Sequence, residues 1–408
     1  MEHGLKNDRH FANEGDPYDD CLTSFFAETK ENEYVPRSLF IDLEPTAINE
    51  VKRGINGRLF LPEQFISGKE DAASNYARGY YSIGNRVIDE SLDKIRKIAD
   101  NCTGLQGFFI FDSVGGGTGS GFGSLLLENL SSEYPKKTKF SLAIYPSPKI
   151  STSVLEPYNS VLATHQLREY ADVVFVFDND AINDICKQRL YIYQPSYTNL
   201  NNIIAQVASA MTASIRYESY MNTNLHEFQT NLAPYPRMKF MLSSYAPFLS
   251  SERVIYEIPS VSNISESAFE ASSMMAKCDP REGRAISYNL MYRGDVVPKD
   301  VSISVNAAKA KGAFQYSNQY TNILKCGTTY SQPMVLPGSW MAKLLRSVLY
   351  ISNNSAITKV FSRINKDFDT MYRKQAFLHW YCREGMEKEE FCEARHDITD
   401  IEKDYEEL

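Results

Sequence analysis

Short, uninterrupted apolar runs recur along the first half of the chain, with helical patterns between them. The runs occupy residues 39–41, 108–111, 142–145 and 173–177. Continuous apolar runs of this length are typical of strands buried on both faces of a parallel sheet. Between the first two runs, Ile88, Leu92, Ile95 and Ala99 follow the three- and four-residue spacing of an amphipathic helix. This alternation predicts an α/β fold with a doubly wound, mostly parallel sheet.

The pattern changes beyond residue 196 and divides the chain into four parts. Residues 1–196 form the first domain, and apolar positions at helical spacing predict one central helix over residues 197–216. Residues 238–245 and 284–292 predict strands of a second, mixed layer within an intermediate domain, residues 217–354. Residues 355–408 predict C-terminal helices, in which Gly385 separates the last two.

The charge of the chain is concentrated at one end. Among 408 residues there are 51 acidic and 43 basic side chains, a net charge of −8. The last 25 residues hold 11 acids and 3 bases, which equals the whole excess. In the final helix, an apolar stripe predicts a core-facing side, and the acids surround it. The stripe consists of Phe391, Ala394, Ile398, Ile401, Tyr405 and Leu408.

This charge distribution excludes some classes of protein. A nucleic-acid-binding protein would carry a basic face, so we predict no nucleic-acid partner. A membrane span needs about 18 or more consecutive apolar residues, and no run comes near that length, so we predict no membrane partner. The acidic C-terminal surface instead predicts contact with a partner protein.

A glycine-rich segment follows the run at residues 108–111. Residues 115–121 read Gly-Gly-Gly-Thr-Gly-Ser-Gly, and a helical pattern follows. Five glycines allow consecutive N–H groups to converge on an anion, and the following helix adds the positive end of its dipole. The hydroxyl groups of Thr118 and Ser120 are further candidate donors. The segment therefore predicts a phosphate cradle, although it matches neither the Walker pattern nor G-x-G-x-x-G.

The glycine-rich string also resembles the signature of the tubulin family. Further blocks resemble that family in the same order, at residues 40–46, 68–73, 154–159, 227–232, 292–299 and 379–381. The alpha subunits are the closer match, because Glu227 stands where beta subunits have a lysine and residues 331–338 resemble a loop that only alpha subunits carry. The resemblance implies a tubulin-type GTPase fold whose first domain binds GTP and Mg²⁺.

The resemblance implies a nucleotide site at the carboxyl ends of the strands, where open α/β sheets bind ligands. It assigns Glu44 to the hydrated Mg²⁺ beside the phosphates and Asp71 to a phosphate-side loop. It assigns Asn179 and Asn201 to reading of the guanine base. An amide group, with both donor and acceptor, suits that task. The residues implied for the nucleotide are Glu44, Asp71, Ser113, Gly116, Gly117, Thr118, Gly119, Thr152, Glu156, Asn179, Tyr197 and Asn201.

Several of these residues also have a purely structural interpretation. Thr152 and Glu156 match the loop on the ribose side, and Tyr197 matches the ring that stacks on the base. Taken alone, Glu44 is a turn cap before a proline, and Asp71 is a helix N-cap. Asn179, Tyr197 and Asn201 are, by the same reasoning, polar residues at helix starts.

Glu227 is the candidate catalytic residue. It lies off the apolar face formed by Leu225, Phe228 and Leu232, so it can point outward. The resemblance implies that it acts in trans and activates water against GTP held by beta-tubulin of the next heterodimer. The nucleotide in the chain's own site is then buried at the contact with beta-tubulin and is not hydrolysed. Without the resemblance, Glu227 is an ordinary solvated helix acid.

The resemblance implies a structural subunit of microtubules in the cytoplasm and its cytoskeleton. Its partners would be beta-tubulin and, on the acidic C-terminal helix, microtubule motors and associated proteins. Because the sequence shows no self-contained catalytic set, we do not expect the isolated chain to hydrolyse GTP. For the same reason we disfavour an independent metabolic nucleotide enzyme.

The chain departs from the family pattern at both ends and at a few internal positions. Residue 1 matches a point after the family's first strand and its phosphate loop, so we expect two unpaired strand edges. The acidic tail is also not seen. Either this sequence is incomplete at its start, which is the interpretation we favour, or the chain is a truncated, non-polymerising paralogue with impaired GTP binding, which is the alternative hypothesis. Asn224 and Ser74 replace an aspartate and an asparagine, and we expect the Asn224 replacement to slow hydrolysis.

Overall fold

Strands and helices alternate through the first half of the chain, as the hydrophobic pattern predicts. The structure is a computed structural model that describes residues 2–6, 9–10, 22–29, 33–147, 151–217, 219, 224–252, 259–312, 324–336 and 339–408. The predicted loop at residues 331–338 thus has its last two residues outside the described part.

The described strands are β1 (Phe26–Glu28), β2 (Tyr34–Pro36), β3 (Phe40–Asp42), β4 (Phe65–Ser67), β5 (Gly107–Ser113), β6 (Thr138–Tyr145), β7 (Val173–Asp178), β8 (Phe240–Ala246), β9 (Ala285–Gly294), β10 (Leu324–Thr329) and β11 (Arg346–Asn354). The described α-helices are α1 (Pro45–Arg53), α2 (Gly84–Asp100), α3 (Gly123–Glu133), α4 (Glu156–Tyr170), α5 (Asn179–Gln188), α6 (Tyr197–Arg216), α7 (Leu225–Leu232), α8 (Val261–Ala268), α9 (Pro298–Ala310), α10 (Thr358–Tyr372), α11 (Leu378–Arg383) and α12 (Lys388–Glu406).

One mixed sheet runs through both halves of the described chain, in the strand order β10-β9-β11-β8-β7-β6-β5. The neighbours from β5 to β8 are parallel, whereas β11 is antiparallel to both β8 and β9. The strand β8 joins the two halves, because it pairs with β7 along one edge and with β11 along the other. The predicted mixed layer is therefore confirmed, but it continues the first sheet and is not a separate one.

The prediction that every apolar run is buried on both faces is wrong for β5. Among the described residues, β5 pairs only with β6, and its side chains are half-buried or exposed, with Phe111 at 60% exposure. Similarly, β3 pairs only with β4, in a separate two-stranded sheet. Within the described residues, β3 and β5 thus each have one unpaired edge, as the resemblance implies. By contrast, β7 has a neighbour on each side and is buried at all six positions. Strand order thus decides burial, and apolar sequence does not reveal strand order.

The helical predictions are confirmed more closely. The long helix α6 has the bounds that the spacing predicts, and Gly385 lies between α11 and α12 with a φ of +102°, which favours glycine. In α12, five of the six stripe residues are buried, and Leu408 packs partly against the same core. No helix in the described part of the chain is long and apolar enough to cross a membrane.

Tyr405 attaches the C-terminal helix to the sheet. The side chain is fully buried, and its hydroxyl group donates to Asn353 Oδ1 at 2.9 Å and lies 3.3 Å from both the N–H and the carbonyl oxygen of Phe240. These contacts join α12 to β11 and β8. The acidic helix is therefore a fixed part of the fold.

Replacing Tyr405 by phenylalanine removes this hydroxyl group and leaves buried polar groups without their partner. We expect the Tyr405→Phe substitution to lower the free energy of unfolding by about 1–3 kcal/mol. Chemical denaturation followed by circular dichroism measures the change. Tyr193→Phe is the matched control, because Tyr193 is 91% exposed, and it should change stability by less than about 0.5 kcal/mol. Equal stability of the two variants would contradict the expectation.

Candidate functional site

The glycine-rich segment lies at the carboxyl end of β5, where the sequence predicts a phosphate cradle. It leads into a wide helical turn, Thr118–Phe122, that continues into α3. A Cβ atom on Gly117 would lie 2.7 Å from the backbone nitrogen of Asn75, and one on Gly119 would lie 2.3 Å from the carbonyl oxygen of Ser113. Glycine is required at both positions by these close approaches. A Cβ atom on Gly116 would meet no atom within 4 Å, so the loop is open on that side.

Ser120 does not serve as the predicted hydroxyl donor to an anion. Its side chain is fully buried, and its hydroxyl group donates to the carbonyl oxygen of Gly116. The backbone N–H of Ser120 donates to the same oxygen. The hydroxyl group therefore closes the turn. Thr118 is half-buried at the start of the turn and remains a candidate donor.

A second loop, residues 71–75, packs against the glycine loop. Ala73 and Ser74 have φ angles of +50° and +54°, in the left-handed region that costs energy for residues other than glycine. Asp71 is exposed at the start of this loop. The structural interpretation of Asp71 as a helix N-cap is wrong, because the helical segment begins only at residue 76. The Asp71 side chain therefore does not cap a helix, and it remains a candidate for the contact with phosphate.

Asn159, on α4, joins the two loops. It is fully buried, and its Nδ2 donates to the carbonyl oxygens of Ser74 at 2.7 Å and Gly115 at 2.9 Å. Its Oδ1 accepts from the backbone N–H of Tyr76 at 3.1 Å and from the Tyr381 hydroxyl group at 2.8 Å. All four hydrogen-bonding positions of the amide are used. Sequence reasoning missed this residue, and the available signal was a polar side chain inside an otherwise buried helix.

Thr152 and Glu156, which the sequence assigns to the ribose side, are in contact. Glu156 is buried at the start of α4, and its Oε1 accepts from the backbone N–H and the hydroxyl group of Thr152, at 2.9 and 2.7 Å. It also accepts from Ser151 and Ser153. A Cβ atom on Gly115 would lie 3.3 Å from Glu156 Cγ. Glu156 therefore fixes the conformation of residues 151–153, and its side chain lies against the glycine loop at Gly115.

The candidate residues for reading the base lie at the carboxyl end of β7 and at the start of α6. Asn179 is the first residue of α5, directly after β7, and Tyr197 and Asn201 occupy the first two turns of α6. Tyr197 is 65% exposed, so its ring face is open to a ligand. A pocket of about 260 Å³ lies between these helices and the strand ends. It is lined by Phe111, Asp112, Ser113, Leu142, Ile144, Phe177 and Ile204.

This pocket lies beside elements that carry candidate phosphate and base residues. Ser113 immediately precedes the glycine loop, Phe177 lies two residues before Asn179, and Ile204 lies one helical turn beyond Asn201. Asp112 is the one ionisable residue in the lining, and burial raises its pKa to about 7. Of the predicted nucleotide residues, Ser113 is the one in this lining, and Asn179 and Asn201 are close to lining residues in sequence.

Glu44, the candidate residue for Mg²⁺, lies on the turn between β3 and α1. It is exposed, its Oε1 accepts from the Thr46 hydroxyl group at 2.6 Å, and its N–H lies 3.3 Å from Asp42 Oδ1. Two carboxylates on one turn fit a hydrated Mg²⁺, which prefers oxygen ligands and retains waters. Within the described ranges, three metal-ligating side chains come close together only on α12, at His396, Asp397 and Asp400. A metal ion on the phosphate side would therefore depend on phosphate oxygens and water.

Glu227 lies near the amino ends of the parallel strands, whereas the glycine loop lies at the carboxyl end of β5. Its helix, α7, packs Leu225, Phe228 and Leu232 into the core and leaves Glu227 half-buried on another face. The backbone N–H of Leu225 donates to Gln106 Oε1 at 3.2 Å, just before β5 begins. The seven residues of β5 therefore separate α7 from the glycine loop by about 20 Å. Glu227 is not part of the site that the other predicted residues form.

Comparisons with known proteins agree with the fold. A model of the Tubulin/FtsZ family GTPase domain matches residues 1–187, and a model of the tubulin C-terminal domain matches residues 236–366. The Tubulin alpha-3 chain of Zea mays is 54% identical over 410 aligned residues, which cover 100% of this chain and 91% of that protein.

Replacing Asn159 by aspartate tests the connection between the two loops. The substitution keeps the shape but removes both N–H donors and places a carboxylate oxygen opposite the carbonyl groups of Ser74 and Gly115. We expect the Asn159→Asp variant to lose at least about tenfold in affinity for guanine nucleotide, since loss of a buried hydrogen bond costs about 1–3 kcal/mol. Nucleotide content after purification, followed by titration with a fluorescent GTP analogue, measures this.

Asn56→Asp provides the matched control for that experiment. Asn56 is exposed, and its side chain makes no capping hydrogen bond to the helical turn that follows. The control should bind nucleotide as the parent chain does. If Asn159→Asp also binds normally, the amide does not organise the phosphate side.

Proposed function

This chain belongs to the tubulin family, and from this premise we propose that it pairs with beta-tubulin and supplies Glu227 in trans for hydrolysis of the partner's GTP. Membership of this family indicates that the chain is a GTP-binding tubulin subunit of the microtubule cytoskeleton, in the cytoplasm. Within the family, its similarity is to an alpha chain. The proposal adds that Glu227 acts on the nucleotide of the partner subunit and not on that of its own chain.

The proposal rests on the separation of Glu227 from the glycine loop. The two lie at opposite ends of β5, about 20 Å apart along the strand. A general base must be within hydrogen-bond reach of the proton that it removes, directly or through one water molecule. Glu227 therefore cannot act on a nucleotide in its own chain's glycine loop. A second subunit stacked end to end would bring its own glycine loop to this edge.

The chemistry proposed for Glu227 is general-base catalysis. The carboxylate would accept a proton from the water that attacks the γ-phosphate, and the water's oxygen would bond to phosphorus as the bond to the β-phosphate breaks. The nucleotide in the chain's own site would remain intact, because the proposed general base, Glu227, lies about 20 Å from that site's glycine loop.

The residues around the chain's own site support a guanine nucleotide. Asn179 and Asn201 would read the base, Tyr197 would stack on it, and Thr152 would contact the ribose. Asp71, Ser113 and the glycine loop would hold the phosphates. Mg²⁺, when bound, would neutralise phosphate charge, and Glu44 would hold it through water. The apolar pocket of about 260 Å³ beside these residues suits a planar base.

The acidic face of α12 is the proposed contact for microtubule motors and associated proteins. Its apolar stripe is buried against α4 and α10, which leaves the acids outward. His165 and Arg168 on α4 contact Asp397 Oδ2 and Oδ1 at 2.6 and 2.5 Å and hold the helix in place. A partner with a basic surface would therefore meet a rigid acidic helix.

A second candidate function follows from the unpaired edges of β3 and β5. An apolar strand with 60% exposure at Phe111 lowers the stability of the nucleotide side. A chain with that defect would bind GTP weakly and would not polymerise. Stoichiometric guanine nucleotide in the purified heterodimer, with incorporation into microtubules, supports the first function. A monomer without nucleotide supports the second.

Replacing Glu227 by glutamine tests the trans mechanism. Glutamine keeps the shape but cannot accept the proton, so we expect phosphate release in assembled polymers to fall by about 10²-fold or more. The nucleotide in the chain's own site should be retained, because Glu227 does not touch it. His226→Ala, on the exposed side of the same helix, should leave the rate unchanged. Normal phosphate release from the Glu227→Gln polymer would refute the mechanism.

Restoring the family's aspartate at residue 224 tests the effect of that replacement. Asn224 is the exposed N-cap residue of α7, one turn before Glu227, and its side chain makes no cap hydrogen bond. An aspartate there can accept a proton alongside Glu227 or raise the basicity of the Glu227 carboxylate, whereas an amide can do neither. We expect Asn224→Asp to raise the rate of phosphate release in the polymer several-fold. An unchanged rate would show that residue 224 does not affect hydrolysis.

A further inference from the structure

The helix that carries Glu227 is too short to hold its own position. The eight residues of α7 form about two turns, and isolated helices of fewer than about 12 residues are marginal in water. The placement of α7 therefore depends on contacts with residues at the amino ends of the parallel strands. Leu225, Phe228 and Leu232 supply apolar contacts, which allow sliding and rotation. Hydrogen bonds to side chains supply the direction.

Gln229 provides the central hydrogen bonds of α7. Its Nε2 donates to Asp172 Oδ1 at 3.2 Å, and its Oε1 accepts from the Thr138 hydroxyl group at 3.2 Å. Thr138 is the first residue of β6, and Asp172 directly precedes β7. The amide is thus held at both ends by adjacent strands. Gln229 lies two residues after Glu227, on the opposite side of the helix.

Asp172 is itself fixed to the sheet. Its Oδ2 accepts from the backbone N–H of Lys139 at 2.7 Å, and its own N–H donates to the Lys139 carbonyl oxygen at 2.9 Å. The Lys139 ammonium group, almost fully buried, lies 3.8 Å from the same carboxylate oxygen. Because both the backbone N–H and the carboxylate of Asp172 are bonded to Lys139, and a buried cation lies beside the carboxylate, Asp172 has little freedom to move. Its remaining oxygen is directed to Gln229.

We propose that Asp172, acting through Gln229, is a positioning residue for Glu227. The pair sets the rotation of α7 about its axis and its distance from the sheet, and so sets where the Glu227 carboxylate meets the partner's nucleotide. This inference rests on the proposed trans mechanism and deepens it. A shift of about 1 Å in a catalytic group can cost about 10²-fold in rate. Asp172 and Gln229 do not touch the nucleotide.

Gln229 is a better position for substitution than Asp172. Two buried lysines, Lys139 and Lys239, lie near Asp172, and burial lowers the pKa of Lys239 to about 8 while the Asp172 carboxylate opposes that shift. Removing the carboxylate would leave buried cations without compensation and destabilise the domain. Gln229→Met keeps the length and helix propensity of the side chain, and it removes both hydrogen bonds without changing charge.

The experiment measures phosphate release from polymers assembled with beta-tubulin, for Gln229→Met alone and combined with Glu227→Gln. We expect Gln229→Met alone to lower the rate about 10- to 100-fold, with unchanged nucleotide content in the chain's own site. In the Glu227→Gln background, the same substitution should change the remaining rate less than twofold. This epistasis is expected only if Gln229 acts through Glu227.

Two further variants separate positioning from general support. Thr138→Val removes one of the two hydrogen bonds and should lower the rate by a smaller factor, which also provides a result if Gln229→Met does not assemble. Ser287→Ala is the matched control, because Ser287 Oγ donates at 2.8 Å to the carbonyl oxygen of Leu232 at the far end of α7. It should leave the rate within about twofold of the parent.

The outcomes distinguish this inference from the mechanism on which it rests. If Glu227→Gln hydrolyses GTP normally, the trans mechanism fails, and the positioning role fails with it. If Glu227→Gln is slow but Gln229→Met and Thr138→Val are both normal, only the positioning role is overturned. Equal losses from Gln229→Met in both backgrounds would also overturn it, because the effect would then bypass Glu227.

Discussion

The side-chain amide of Asn159 lies where the glycine loop, the loop at residues 71–75 and the C-terminal layer meet, and its four hydrogen bonds hold these parts in register. The bond to Tyr381 spans 222 residues of sequence. Because the amide is fully buried, each of its hydrogen bonds is protected from water and each unmade bond would be costly. The conformation of the glycine loop and of residues 71–75 therefore depends on the C-terminal helices being in place.

The parallel sheet gives the chain two functional ends. At the carboxyl edge, β5, β6 and β7 end beside the glycine loop, the Thr152 loop and Asn179. At the amino edge, the same strands begin beside Gln106, Thr138 and Asp172, which hold α7 and Glu227. Under the proposed trans mechanism, such a chain would receive nucleotide at one end and present a carboxylate at the other. The polarity of the strands would then be the physical basis of the proposed end-to-end assembly.

Much of the fold was predictable from local pattern. The positions of β6, β7, α2, α6 and α12 follow from apolar runs and helical spacing, because these elements are buried in the way their sequences imply. The exposure of β5, the separate sheet of β3 and β4, and the join through β8 depend on strand order, so local pattern did not predict them, although the family resemblance implied the two unpaired edges. Of the candidate site, the glycine loop and the loop that holds Thr152 and Glu156 each lie within a short stretch of chain, which explains why sequence was informative there.

Local sequence alone therefore decided which backbone segments form strands, helices and an anion-binding turn, because those choices depend on neighbours within a few residues. Tertiary structure alone decided which groups meet. It brought Asn159 to Gly115 and placed Asp172 behind Gln229. Such contacts join residues from 44 to more than 200 positions apart, and hydrogen bonds of this kind are selected by burial in the assembled core, which no local pattern encodes.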